Sequence, residues 1–220
     1  MNTLDYIVKK YKLDLTAKSP IEIPDIGRNG LAELFHELGF KVGAEIGVLE
    51  GEYSETLCKG NSELKLYCID PWIPHKGYTD FVKTKTFTVA SEKAQTRLSQ
   101  YNCEIIKKFS MDAVKDFADE SLDFIYIDGD HNFQNVTNDI VEWSKKVKNG
   151  GIIAGHDFIK HKKPINIHVY EVVNGYTAAY DIRPWFLLAA KSVINGVITA
   201  EERTFLWVKT SFPVPRSYDK

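Results

Sequence analysis

The sequence predicts an α/β fold in which helices cover both faces of a mainly parallel β-sheet. Short apolar runs typical of buried strands alternate along the chain with amphipathic segments of helical spacing. The distance between successive runs suits strand–helix–strand units, and such units place their strands parallel in one sheet. Several runs end in a glycine or an aspartate, so we expect ligand-binding groups to gather at the carboxyl edge of that sheet.

The N-terminal part of the chain predicts two helices around an extended segment. Apolar residues recur at helical spacing over residues 3–13 and again over 28–38, where Gly39 suits the C-terminal cap. Between them, the two prolines of residues 19–25 favour an extended chain. We expect residues 1–38 to cover the substrate pocket.

The remaining segments predict the strands and helices of a Rossmann-like sheet. Strands are predicted at 41–47, 64–70, 104–108, 122–128 and 152–154, with helices at 53–58, 79–101, 111–117 and 133–147. A further helix at 167–180 and two late strands at 185–190 and 204–209 follow. We expect one domain over residues 1–220, with a seven-stranded sheet that includes a late antiparallel strand. Its ligand-binding core is residues 39–160, and residues 161–220 complete the sheet and the substrate pocket.

Composition and charge argue against several classes of partner. The 220 residues carry a formal net charge of −2 and no basic stripe, which disfavours a nucleic-acid partner. No stretch approaches the ~20 apolar residues of a membrane span, and the N-terminus lacks the apolar core of a signal peptide. We therefore expect a cytoplasmic protein with a small-molecule partner, and the sequence is compatible with a homo-oligomer.

The three cysteines, Cys58, Cys68 and Cys103, lie far apart in the sequence. No pair has the spacing of a zinc site or of a redox motif. We expect small buried thiols in a reducing compartment.

The turn after the first core strand is the main sign of a ligand. It reads Glu45-Ile-Gly47-Val-Leu-Glu-Gly51-Glu-Tyr53-Ser54, and its glycines let a ligand approach the backbone closely. It has neither the Gly-x-Gly-x-x-Gly spacing of dinucleotide-binding folds nor the Gly-Lys-Ser/Thr of P-loops. Its acidic residues suit a cationic ligand better than a phosphate. Asp70, at the end of the second core strand, can accept both hydroxyls of a ribose.

The spacing Glu45-x-Gly47-x-x-x-Gly51 resembles motif I of class I S-adenosylmethionine (SAM)-dependent methyltransferases. Three other segments, Asp70-Pro71-Trp72, Asp128-Gly-Asp130-His131 and Gly155-His156-Asp157-Phe158, resemble the small-molecule O-methyltransferases of the macrocin type. The likeness covers roughly residues 40–160.

The resemblance implies that loops after the strands bind SAM. The implied contacts are Glu45, Gly47, Gly51, Tyr53, Ser54, Asp70, Trp72, Ser110, Asp112 and Asp128. In the family, the acidic residue and the glycine turn hold the methionine part, the strand-end aspartate holds the ribose, and the region of Ser110 and Asp112 contacts the adenine amine. Trp72 either stacks on the adenine or fills the core.

Methyl transfer to an alcohol needs a base or a metal ion, because a neutral hydroxyl is a poor nucleophile. His156 is the first candidate for the base and His131 the second, since histidine titrates near neutral pH and both flank the strand-end aspartates. Asp128 is expected beside them.

The resemblance also implies a Mg²⁺ site, with Asp128 and Asp157 as ligands. Phe158 occupies the position where such sites carry an Asn or Asp ligand, so Asp130 or water would have to complete the shell. Two histidines among carboxylates would also suit zinc or iron.

The sequence therefore predicts a SAM-dependent O-methyltransferase that acts on a hydroxyl of a small molecule, such as a sugar or a natural product. Two alternatives stay open: an NAD-linked oxidoreductase, which the glycine spacing disfavours, and a SAM- or nucleotide-binding subunit without activity. A nucleic-acid methyltransferase is disfavoured by the charge. We also expect a lid near His75 and Tyr78, and a solvated basic loop over 160–163.

Overall fold

An eight-stranded, mostly parallel β-sheet forms the centre of the computed structural model. The structure describes residues 1–74, 84–160, 166–189, 191–194, 197–200 and 203–210. Its strands are β1 (Ile21–Pro24), β2 (Val42–Ile46), β3 (Lys65–Ile69), β4 (Cys103–Ile106), β5 (Leu122–Ile127), β6 (Val147–Gly155), β7 (Phe186–Ala189), β8 (Lys191–Ile194), β9 (Val197–Ala200) and β10 (Thr204–Val208).

The helices are α1 (Thr3–Tyr11), α2 (Arg28–Glu37), α3 (Glu52–Gly60), α4 (Thr84–Leu98), α5 (Ser110–Ala113), α6 (Phe133–Lys146) and α7 (Val169–Ala179). A 3₁₀ turn, Val114–Asp116, follows α5. Among the described residues, no helix combines the length and the apolar character that crossing a bilayer requires.

The strand order is β1-β7-β10-β6-β5-β2-β3-β4, and β8 pairs with β9 in a separate hairpin. Strand β10 runs antiparallel to both of its neighbours, and the other pairs of the large sheet are parallel. The fold class predicted from the sequence, with its late antiparallel strand, is thus confirmed. The polar strand ends of β3, β2 and β5 lie side by side, as parallel topology requires.

The sheet has one strand more than the sequence predicted. Residues 21–24, expected only to be extended, pair with β7 through Ile21 opposite Phe186. Ile21 and Ile23 are buried and the intervening Glu22 is exposed, which is the alternation of a half-buried strand. Pro24 is tolerated because β1 is an edge strand.

Two apolar clusters lie on opposite faces of the sheet. Alternate residues of β5 divide between them: Phe124 and Tyr126 join the cluster under α1 to α4, and Ile125 and Ile127 join the cluster under α5 to α7. All four side chains are buried. The near-continuous apolar sequence of β5 is therefore explained by burial on both faces.

The end of α6 differs from the prediction. The helix stops at Lys146 and β6 begins at once with Val147, five residues earlier than expected. Gly150, with φ of 82°, falls within a register shift of the β5–β6 pair. The glycines predicted to break the chain thus lie inside a strand, where they produce an irregularity. His75, Tyr78 and most of the basic loop lie outside the described residues.

Candidate active site

A cleft of about 530 Å³ opens where β2, β3 and β5 end. Gly47, Asp70 and Asp128 follow these three neighbouring strands and line the cleft together. The sequence-predicted residues that line it are Glu45, Gly47, Tyr53, Asp70, Ser110, Asp128, Asp130 and His131. The predicted residues that are not among its lining are Gly51, Ser54, Trp72, Asp112, His156 and Asp157.

The glycine turn after β2 lies directly against the loop after β5. Gly47 has φ of 91°, and a Cβ atom placed on it would lie 2.2 Å from the carbonyl oxygen of Asp128. Leu49 in the same turn also has a left-handed backbone, with φ of 48°. Such conformations are costly for a branched side chain and cluster at functional sites. Gly51, with φ of 75°, ends the turn and starts α3.

Asp70 fixes the glycine turn through its carboxylate. One oxygen accepts hydrogen bonds from the backbone N–H groups of Val48 and Leu49, each at 3.0 Å, and the other accepts from Trp72 N at 2.7 Å. An ionised carboxylate has about four acceptor sites, so these three bonds leave capacity for a ligand hydroxyl. Asp70 therefore both orders the turn and faces the cleft.

Glu45 lies at the bottom of the cleft and is 2% exposed. Burial raises the pKa of its carboxyl well above the usual value, although the hydrogen bond from Ser54 Oγ opposes that shift. Ser54 is fully buried behind Glu45 and positions it. Because a nearby cation favours the ionised form, Glu45 is suited to a positively charged ligand group.

The other end of the cleft is apolar. Trp72, which the sequence left between stacking and core packing, is buried and its Nε1 donates to Leu49 O at 2.8 Å. The tryptophan thus braces the glycine turn from behind. The apolar lining is provided by Ile73, Phe87, Phe109 and Met111.

Ser110 reaches this apolar end and binds Asp139, an acid to which the sequence analysis assigned no role. Its hydroxyl donates to Asp139 on α6 and accepts from Trp143 Nε1 at 2.8 Å. Burial raises the pKa of Asp139 to about 7, with a further contribution from Asp130. Asp112 is exposed instead, and its carboxylate accepts from Lys115 at 2.8 Å.

Two aspartates and two histidines meet beyond the ends of β5 and β6. His131 Nε2 lies 2.8 Å from Asp157 Oδ2 and 3.5 Å from Asp128 Oδ1. His156 Nδ1 lies 3.5 Å from Asp157 Oδ1 and 3.7 Å from Asp128 Oδ1. The prediction that these side chains converge is confirmed. His131 faces the cleft, whereas His156 is 7% exposed and lies behind the carboxylates.

The close contacts shift the ionisation of this cluster. Burial opposes the charged form of Asp157, but its hydrogen bonds with His131 and His156 hold its pKa well below the usual range. Burial also lowers the pKa of His156, yet the bond to Asp157 and the charges of Asp128 and Asp157 outweigh this effect and raise it. Asp157 has φ of 56°, a left-handed conformation that Asp tolerates better than most residues.

The side chains that could share a cation differ from the expected set. Among the described residues, ligand atoms of Asp128, His131 and Asp157 lie within 4.8 Å of one another. Asp130 is not in this group, because its oxygens accept from Asn132 N at 3.0 Å and Asn135 Nδ2 at 2.7 Å at the start of α6. His131 takes the place that the sequence gave to Asp130.

Phe158 follows Asp157, at the position where the family's metal sites carry an Asn or Asp ligand, and here it is part of the apolar core. It is 5% exposed, and its ring packs against Tyr170 at 4.9 Å and Trp185 at 5.4 Å. The prediction that this position provides no oxygen ligand therefore has a structural reason.

Arg28 is a cleft residue that sequence reasoning missed. Its Nη1 lies 3.6 Å from Asp128 Oδ2, and its guanidinium lies 5.2 Å from the centre of the Tyr53 ring. Tyr53 in turn donates to Arg28 O at 2.9 Å. A sequence signal existed, since a cation at the first position of a helix is unfavourable for the helix dipole and needs another partner.

The chain resembles known proteins at the levels of sequence and fold. Residues 44–158 match a family model described as a methyltransferase domain. An uncharacterized protein of Acanthamoeba polyphaga mimivirus is 32% identical over 119 residues, which cover 52% of this chain. The chain spans about half of that relative's length, 50%.

Two solved structures share the fold. An O-methyltransferase from Bacillus cereus in complex with S-adenosylhomocysteine (SAH) has a TM-score of 0.59 and 18% identity, over 94% of this chain and 90% of that one. An O-methyltransferase of tomaymycin synthesis from Streptomyces achromogenes, in complex with SAM, has a TM-score of 0.58 and 14% identity, over 95% and 90% of the two chains. At these identities the likeness establishes a common architecture.

Proposed function

The chain belongs to the methyltransferase-domain family, and we propose that it transfers the methyl group of SAM to a hydroxyl of a small molecule. The observation that carries the proposal is a single cleft with two chemically different sides. One side holds Glu45 and Asp70 around the glycine turn, and the other holds Asp128 and His131. The cleft volume of about 530 Å³ is in the range of small-molecule sites.

The lining suggests how SAM lies in the cleft. The buried carboxyl of Glu45 is suited to the cationic methionine part, which also carries the sulfonium. The spare acceptor capacity of Asp70 is suited to the ribose hydroxyls. The apolar end, with Phe109 and Met111 beside Ser110, is suited to the adenine. This placement leaves the methyl group near Asp128 and His131.

We propose His131 as the general base. Its Nε2 lies 2.8 Å from Asp157 Oδ2, a contact that holds the ring and leaves Nδ1 as the nitrogen that accepts a proton. The acceptor oxygen forms a bond to the methyl carbon while the carbon–sulfur bond of SAM breaks, and the hydroxyl proton passes to His131. SAH leaves with the electron pair on sulfur. His156, behind the two aspartates, positions them.

Asp128, His131 and Asp157 also fit a divalent cation. Carboxylate oxygens suit Mg²⁺, and an imidazole nitrogen in the same set also suits Mn²⁺ or Zn²⁺. A bound cation would supply Lewis acidity that lowers the pKa of the acceptor hydroxyl. His131 would then be a ligand of the cation, so the cation would replace it as the group that activates the acceptor hydroxyl.

Calorimetric titration with SAM and SAH tests the cofactor. We expect the wild-type chain to bind both, and Asp70→Ala to bind at least ~10²-fold more weakly, because two hydrogen bonds to a charged group are worth about 3–6 kcal/mol. Asp112→Ala is the matched control, since Asp112 is exposed and outside the cleft lining, and should bind like wild type. Flat titrations with the folded wild-type chain would refute the cofactor.

The acceptor chemistry needs a separate test. Methyl transfer from labelled SAM to a panel of hydroxylated and amino small molecules, with product structures determined by NMR, separates the two classes. Products that carry a new O–CH₃ group support the proposal. Products methylated only at nitrogen or carbon overturn it while leaving SAM binding intact.

A further inference from the structure

The fold brings together three cysteines that are widely separated in the sequence. Cys58 lies on α3, Cys68 on β3, and Cys103 is the first residue of the adjacent edge strand β4. Cys58 Sγ and Cys103 Sγ are 3.4 Å apart. Cys68 Sγ donates to Ser54 Oγ at 3.5 Å and also hydrogen-bonds Cys103. The expected burial is confirmed for Cys58 and Cys68, whereas Cys103 is partly exposed, and the spacing in the sequence did not predict that the three would meet.

The nearest pair is close to the geometry of a covalent bond. A disulfide has a sulfur–sulfur distance of about 2.05 Å, so the two sulfur atoms need to approach by about 1.4 Å. Cys103 is partly exposed, whereas Cys58 is 4% exposed. An oxidant from solvent thus meets Cys103 first, with Cys58 directly behind it.

The reactivity of the two thiols differs in the same direction. Hydrogen bonds with Cys58 and Cys68 lower the pKa of the Cys103 thiol, while the contact with Cys103 and burial raise the pKa of Cys58. The thiolate is the form that attacks an oxidant, so the accessible cysteine is also the more reactive one.

We propose that Cys58 and Cys103 form a reversible disulfide when the chain meets a hydroperoxide. The Cys103 thiolate attacks the peroxide, the O–O bond breaks, and Cys103 becomes a sulfenic acid as the peroxide is reduced to water or an alcohol. The Cys58 sulfur then attacks the Cys103 sulfur, its proton leaves with the displaced hydroxyl as water, and the S–S bond forms. The two thiols lose two electrons, which the peroxide accepts.

The disulfide would tie α3 to the edge of the sheet. Cys58 lies one helical turn after Ser54, and Ser54 holds Glu45 in the cleft. Movement of Cys58 toward β4 therefore acts on the helix that positions Glu45. We expect the oxidised chain to bind SAH at least threefold more weakly. This effect on binding rests on the proposed function, whereas formation of the disulfide does not depend on it.

Mass spectrometry after a stoichiometric dose of hydrogen peroxide tests the bond. Alkylation in denaturant should label one thiol instead of the three of the reduced chain, the mass of the oxidised chain should fall by about 2 Da, and dithiothreitol should restore all three. Peptide mapping should find Cys58 joined to Cys103. Cys68→Ala is the matched control and should still form the bond.

Cys103→Ser and Cys58→Ala should each abolish the crosslink. Because Cys103 is partly exposed and Cys58 is buried, Cys103→Ser is the variant to use if Cys58→Ala does not fold. A chain that keeps three free thiols, gains only oxygen atoms, or links Cys103 to a second chain would overturn the proposal. SAH affinity is measured on the same oxidised sample. If the chain binds SAH but peroxide does not form the crosslink, only the disulfide proposal is refuted. If peroxide forms the crosslink but the chain binds no SAH in either the oxidised or the reduced form, only the cofactor proposal is refuted.

Discussion

Replacing Gly47 by alanine tests whether contact between two loops shapes the cleft. The added Cβ would lie 2.2 Å from the carbonyl oxygen and 2.5 Å from the carbonyl carbon of Asp128. Both are backbone atoms and cannot swing aside as a side-chain end can. Gly39→Ala is a matched control: Gly39 also has a left-handed backbone, with φ of 71°, but a Cβ there meets nothing within 4 Å.

The comparison separates two costs. A left-handed backbone costs an alanine roughly 1–2 kcal/mol, and both variants incur that cost. Forcing extra atoms into a packed region adds about 1–3 kcal/mol, and only Gly47→Ala incurs it. We therefore expect losses in the free energy of unfolding of about 2–5 kcal/mol for Gly47→Ala and about 1–2 kcal/mol for Gly39→Ala.

Urea unfolding measures the stability, and methyl-transfer rates measure the function. Separating the Cβ from the Asp128 oxygen to 3.0 Å needs a shift of 3.0 − 2.2 = 0.8 Å in the loop after β5. That loop carries Asp128 and His131, which form the acid–histidine cluster together with His156 and Asp157. A displacement of about 1 Å can lower a rate by about 10²-fold, so Gly47→Ala should be nearly inactive and Gly39→Ala close to wild type. Equal losses in the two variants would show that the loop contact is unimportant.

Three further predictions concern residues of the cleft and of the cluster of Asp128, His131, His156 and Asp157 beside it. Because the pKa of Asp139 is raised to about 7 in the folded chain, the free energy of unfolding of the wild type should fall by up to roughly 4 kcal/mol as pH rises from 4 to 7. Urea unfolding of Asp139→Asn should not show this fall. The same dependence of unfolding free energy on pH in both chains would contradict the prediction. His131→Ala should keep SAH affinity but lose about 10²–10⁴-fold in kcat, and His156→Ala should lose less. If single-turnover rates instead fall more in His156→Ala than in His131→Ala, His156 is favoured as the base. Calorimetry should show that the wild type binds Mn²⁺, that Asp157→Ala does not, and that Asp130→Ala still does. An equal loss of Mn²⁺ binding in both variants would indicate that Asp130 is also a ligand.

The sequence predicted the features that follow from periodicity and topology. Apolar strands alternating with helices require a parallel sheet, and that sheet requires Gly47, Asp70 and Asp128 to share an edge. Features that depend on tertiary contact were not predictable. The partners of Cys103 lie 45 and 35 residues away, since 103 − 58 = 45 and 103 − 68 = 35. Likewise, the sequence did not show which loop side chains point toward Asp157. In the structure His131 contacts Asp157, whereas Asp130 binds Asn132 and Asn135 at the start of α6.

The loops of the acid–histidine cluster are anchored by parts of the chain outside the family-matched segment. The N–H of His168, at the start of α7, donates to His131 O at 2.8 Å, and Phe158 N donates to Arg203 O at 3.0 Å. Arg203 in turn lies 2.9 Å from Glu22 of β1. Because these contacts fix the backbone on both sides of the cluster, residues 44–158 provide the chemical groups, and the two ends of the chain set their geometry. Differences in acceptor among related chains are therefore to be sought in those ends, where the sequence resemblance is weakest.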